Sequence, residues 1–149
     1  MINENIKAIG TLRLTLTDKG ENVKIDRCED NIITTIGKSY IAQRISLNTT
    51  PLMGWMAIGT SNTVESAGNT QLGAELPGSR QVAVPSSNNN VANFTSVFLP
   101  GIGTGAIVEA AVFNDALFNS GIMLNRVTFA VINKDAADTL TISWNITVA

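Results

Sequence analysis

Leu12, Leu14 and Leu16 alternate with Thr11, Arg13, Thr15 and Thr17, a period of two that gives a strand one apolar and one polar face. Asp18-Lys19-Gly20 supplies a turn in which Gly20 is free to take a positive φ, and Val23 and Ile25 open a second strand. The period then changes. From Thr35 to Ser46, the residues Ile36, Tyr40, Ile41 and Ile45 form one apolar stripe, with Lys38, Gln43 and Arg44 on the polar side. This predicts a short amphipathic helix, capped by Thr34 or Thr35 and ended by Asn48 and Pro51.

Beyond the helix the pattern returns to strands. Met53 to Ile58 is a compact apolar run; Arg80 to Val84 and Val91 to Leu99 follow, with Pro85 to Asn90 as a polar turn between them. Ala106 to Phe118 mixes alternation with three alanines and one glutamate, and reads as a strand buried on both faces, with a helix as the alternative. Val127, Phe129 and Val131 make another strand. Leu140, Ile142, Trp144, Ile146 and Val148, alternating with Thr and Ser/Asn, make the clearest one. About eight strands and one helix predict a single all-β domain over residues 1–149, an antiparallel β-sandwich of jelly-roll-like form.

Between Gly59 and Ser79 lies a long segment rich in Ser, Asn, Thr and Gly, whose apolar residues Val64, Leu72 and Leu76 are too sparse to make a core of their own. Backbone ordering costs roughly 1–2 kcal/mol per residue. The segment is therefore expected to be mobile in the free protein or held by neighbouring subunits. Arg80 at its exit is placed to form an exposed pair with Glu75. The odd-numbered positions from Ala106 to Asn114, with Trp55, offer more apolar surface than one sandwich needs, which predicts a homo-oligomer.

Composition narrows the chemistry. The chain contains no histidine, has a net charge of −2, and is 44% hydrophobic but only 15% charged. The usual general base near neutral pH and the commonest metal ligand are thus missing, and no basic cluster is present to neutralise phosphates; nucleic acid is not an expected partner and no cofactor is expected. Cys28 stands alone, so there is no internal disulfide, and it reads as a half-buried residue at a strand end. Met1 to Asn5 lacks a signal-peptide layout and no apolar run is long enough to cross a membrane. A soluble product of a reducing compartment is expected.

Gly101 to Ala106 matches the spacing G-x-G-x-x-A of dinucleotide sites, but Pro100 precedes it, a strand follows it, and no carboxylate stands near residues 121–126. A turn is the better account. Glu65, Glu75, Glu109, Asp115, Asp135 and Asp138 are the carboxylates on which a small hydrolase would depend. Glu109 interrupts an apolar strand and needs a partner, for which Arg80 and Arg126 are the candidates; a structural ion pair is the expected outcome.

An ordered set of short features carries a family resemblance: Asn31, Thr35, Gly37-Lys38 and Ile41-Ala-Gln-Arg-Ile45; Met56-Ala-Ile-Gly-Thr60; Thr70-Gln-Leu-Gly-Ala-Glu75 with Arg80; Glu109 to Asn114; Gly121 to Arg126; and Asp138 to Trp144. Over residues 6–148 the chain resembles small structural proteins of tailed-bacteriophage virions, variously head-decoration, minor structural or tail-associated. The usual proline-containing segment after Gly59-Thr60 is here Ser61-Asn62-Thr63-Val64. The resemblance implies a non-enzymatic subunit located in the virion, with the major capsid protein and copies of itself as partners and a homotrimer favoured. Capsid decoration (cement) is the leading role, and a tail, baseplate or fibre-associated subunit for host attachment the alternative. Candidate contact residues are Ile2, Ile6, Trp55, Val64, Leu72, Glu75, Leu76 and Arg80.

Overall fold

The computed structural model describes residues 4–149. Nine strands and one helix follow in chain order: β1 (Ala8–Thr17), β2 (Val23–Ile33), α1 (Thr35–Ser46), β3 (Trp55–Gly59), β4 (Gln81–Val82), β5 (Val84–Asn88), β6 (Val91–Phe98), β7 (Gly105–Phe113), β8 (Met123–Lys134) and β9 (Thr139–Val148). Every neighbouring pair is antiparallel, in the order β4-β3-β7-β8-β2-β1-β9-β6-β5. The fold is the all-β antiparallel sandwich that the alternation predicts. One layer is β2-β1-β9-β6-β5 and the other is β4-β3-β7-β8.

Two crossings nearly close the sheet on itself. At one seam the long β2 serves both layers, pairing with β1 through most of its length and with β8 through Ile32 and Ile33. At the other, the buried Ala83 carries the chain from β4 to β5, and its N–H donates to Gly54 O at 2.8 Å. Ser96 Oγ donates to Val82 O across the same seam. Such closure leaves little open edge for unwanted pairing.

The main core lies between the layers. Leu12, Leu14 and Leu16 of β1 stand in register with Trp144, Ile142 and Leu140 of β9, and meet Phe98, Ile107, Val112, Val127 and Ile132 from the other strands. Trp144 is fully buried, and its indole N–H donates to Asn31 Oδ1 at 2.8 Å, so its polar atom is satisfied. A second, smaller cluster comprises Ala57, Leu72, Ala111, Phe113 and Met123, with Ile36 and Trp55 packed against it. Because Met56, Ile58, Ala110 and Val112 belong to the main core, strand alternation puts this cluster on the outer face of the second layer. Of the odd-numbered apolar positions of β7, Ile107 lies in the main core before a bulge, while Ala111 and Phe113 pack in the outer cluster with Leu72 of the long segment, so none is left for a second copy.

The helix spans the predicted residues. Thr34 Oγ1 accepts from Gly37 N at 3.0 Å and donates to Met123 O, so the cap also ties the helix to β8. Tyr40 is buried and Ile36 and Ile41 are half-buried, but Ile45 is 84% exposed, so the docked stripe stops one turn short. Gly37 lies against β8, where a Cβ would overlap the Leu124 carbonyl.

Several local expectations are corrected. The positive φ of the first turn belongs to Glu21 (62°), not Gly20. Residues 84–88, expected to be largely turn, form β5; Pro85 is tolerated because β5 is an edge strand. The strand from Ala106 ends at Phe113 instead of Phe118, and β8 starts four residues before Val127. Cys28 is exposed in the middle of β2. Of the expected turn Gly101 to Ala106, residues 101–104 connect β6 and β7 with Gly101 and Gly103 at positive φ, and Gly105, also at positive φ, opens β7.

Candidate functional site

The outer face of the second layer gathers Glu75, Arg80, Glu109 and Arg126 from among the charged residues singled out in the sequence. Glu109 projects from β7 opposite Gly59 of β3, a position where any Cβ would meet its carboxylate. Glu109 Oε1 accepts from Ala74 N (2.7 Å) and Ser61 N (3.2 Å), and Oε2 accepts from Gly73 N (2.9 Å) and Arg126 Nε (2.9 Å). Arg126 in turn donates to Asn69 Oδ1 and Thr63 O, each at 2.9 Å. Both side chains are buried, and every arm of the pair reaches the segment after β3. A buried carboxylate needs such partners, and here backbone N–H groups provide most of them.

The premise behind a mobile or partner-held segment, that it has no support of its own, is therefore corrected. Leu72 and Leu76 pack inward, and the buried Glu109–Arg126 pair supplies polar anchors from Ser61 to Ala74. Of Glu109's two candidate partners, Arg126 is the one it takes.

Arg80 closes the base of the same segment. Its Nε and Nη2 donate to Glu75 Oε1 and Oε2 at 2.6 and 2.9 Å, a bidentate fork, and its guanidinium stacks over Phe113 at 3.7 Å from the ring centroid. The pair is buried, not exposed as expected, with side chains 5% and 0% accessible. Arg80 Nη1 reaches further, to Asp115 O (2.7 Å) and Ser120 O (3.2 Å), while Asn119 N donates to Glu75 Oε2. Asp115 Oδ1 accepts from Leu117 N, and Ser120 N donates to Leu117 O. The β7–β8 loop is thereby pinned at its sides, yet its apex carries Leu117 and Phe118 at 67% and 47% exposure.

A second feature lies at the same end of the sandwich. Tyr40 and Ile41 of α1, Leu52 and Met53, Phe94 of β6 and Ile146 of β9 line an almost wholly apolar cavity of about 440 Å³. Tyr40 accepts from Met53 N through its hydroxyl oxygen at 3.1 Å, which fixes one wall. Leu52 stands at the rim, 64% exposed.

At the opposite end, Lys134 is buried and donates to Leu99 O and Asp138 O, joining two turns. Burial holds its pKa below the ordinary lysine value. The Asp138 carboxyl is held below the ordinary carboxylate range, first by the hydrogen bond from Lys24 and then by that from Asp135 N.

Of the residues proposed as contacts, Ile2 lies outside the described residues. Ile6 and Val64 are exposed; Trp55 is half-buried beside Leu72; Leu76 is half-buried against the main core. Leu72, Glu75 and Arg80 work inside the chain. The exposed Leu117–Phe118 pair and the end cavity were missed. The pair was legible as two large apolar residues inside the run Asn114-Asp-Ala-Leu-Phe-Asn-Ser-Gly121, whereas the cavity, assembled from six separate segments, had no local signal. Among the described residues no group of three or more acidic or cysteine side chains could hold a metal ion, and no helix is long and apolar enough to cross a membrane. The chain matches no family model, no curated protein and no solved structure.

Proposed function

We propose that this protein is a non-enzymatic structural subunit of a tailed-phage particle, acting as a capsid decoration protein that binds the outer surface of the major capsid protein shell and reinforces it. The observation that carries the scaffold part of this reading is how the buried charges are used. Glu109, Glu75 and Asp138, the carboxylates most shielded from water, each hold loop backbone in place beside a cation. Catalytic carboxylates instead face a cleft with an unequal demand for protons. A nearly closed sandwich with rigidly stapled loops suits a part that must keep its shape on a particle. The phage assignment itself rests on the ordered sequence features of residues 6–148 described above.

The test is the copy number of this chain in purified particles. Many copies in register with the shell lattice, together with earlier heat-induced shell rupture when the protein is absent, are expected. A handful of copies at one vertex would replace this role with a tail or fibre-associated one. Absence from particles would end the virion reading altogether.

A further inference from the structure

The two features at the β7–β8 end are a protrusion and a hollow of matching character. We infer that Leu117 and Phe118 of one copy seat in the cavity lined by Tyr40, Ile41, Leu52, Met53, Phe94 and Ile146 of a second copy.

The protrusion is built to be presented. Four positions of its backbone, Asp115, Leu117, Asn119 and Ser120, are fixed by the Asp115 and Glu75 carboxylates and Arg80 Nη1, and Gly121, at φ 80°, closes the loop where a Cβ would collide with Asp115. Holding two apolar side chains outward by buried charge–backbone bonds removes much of the ordering cost of docking them. Large apolar anchors entering desolvated pockets dominate protein association.

A chain cannot fill its own cavity with its own protrusion. Pro51 to Gly54 stands between them: Gly54 N donates to Phe113 O and Asn114 Nδ2 to Pro51 O on one side, while Leu52 and Met53 face the cavity on the other. The occupant must therefore come from another molecule.

Charge complementarity points to a second copy. From Asn31 to Val64 the chain carries Lys38 and Arg44 and no carboxylate, and Arg44 lies one turn beyond Tyr40 and Ile41 on the helix that walls the cavity. From Asn114 to Asn125 it carries Asp115 and no cation. A protrusion whose one charge is a carboxylate thus meets a cavity whose walling helix carries only cations. Such a contact is heterologous, with different surfaces on the two partners. It closes either as a reciprocal pair or as a ring.

This inference goes beyond the shell-binding role and is tested without particles. Sedimentation of the full chain is compared with two variants: Leu117→Ser with Phe118→Ser, and Leu52→Glu at the cavity rim. All three sites are exposed, and unchanged circular dichroism and melting temperature verify the fold. Wild type is expected to self-associate, and each variant to do so roughly 30-fold more weakly. An equimolar mixture of the two variants is expected to form dimers, because one intact protrusion still meets one intact cavity. A monomeric wild type at high concentration, variants that associate like wild type, or a mixture that stays monomeric would each overturn the contact. None of these outcomes bears on the copy number in particles.

Discussion

Glu109 and Arg126 reach each other diagonally across β7 and β8, with Oε2 2.9 Å from Nε, on a sheet face that the chain itself covers. The pair anchors Ser61, Thr63, Asn69, Gly73 and Ala74 to the sheet, and Glu65 is held separately by Thr128 of β8.

Glu109→Ala is expected to lower stability by about 3–5 kcal/mol, the usual consequence of leaving one member of a buried pair without its partner. Denaturant unfolding measures the loss. Amide exchange should quicken first at Ser61, Gly73 and Ala74, with β1 and β9 unchanged under native conditions. Uniform quickening across both layers would mean that the segment is not a separate opening unit.

Gly37→Ala reverses the usual helix rule. Alanine in an exposed helix gains about 1 kcal/mol over glycine, but here its Cβ would enter the Leu124 carbonyl, and backbone cannot easily yield. A net destabilisation of about 1–3 kcal/mol is expected from thermal or urea unfolding. A more stable variant would show that α1 can slide along β8.

Arg80→Lys keeps the charge and loses the fork. The ammonium cannot serve both Glu75 oxygens, Asp115 O and Ser120 O, nor lie flat on Phe113. Stability should fall by about 2–3 kcal/mol, and exchange at Leu117 to Ser120 should rise. An unchanged loop would place its rigidity elsewhere.

Acid sensitivity has a defined contributor in Asp138. Its folded pKa lies below the unfolded value of about 3.9, so the stabilisation is complete above that value and is lost as pH falls through the lower, folded one. The stability gap between wild type and Asp138→Asn should be constant from pH 7 to about 5 and shrink below about 4. A gap that already closes near pH 6 would contradict the Lys24 and Asp135 contacts as its cause.

What could be read from the sequence was what repeats locally. Leu140 to Val148 and Thr35 to Ser46 were legible because each carries its own period over several residues. Pro85 to Asn88 was not, since an edge strand exposed on every residue has no buried face to impress alternation on it. Glu109 announced its need for a partner by interrupting an apolar run. Its choice of Arg126 depended on which sheet face each strand turned outward, and its bonds to Gly73 and Ala74 are made to backbone, which no side-chain pattern records. The missing apolar residues of the long segment were correctly noticed and wrongly weighed, because polar anchoring to a buried carboxylate was left out.

The placement of β1 between β2 and β9 fixes an order in time. Leu12 finds β2 at once through a short hairpin, but its other neighbour, Trp144, is made 132 residues later. Until then the first layer lacks its central strand, and β1 and β6 each present a bare side awaiting β9. Contacts so far apart along the chain form slowly, and these wait until β9 has been made. The nascent protein therefore passes through a stage in which a leucine-lined hairpin waits unpaired, and the finished sandwich arises only after translation of its ninth strand.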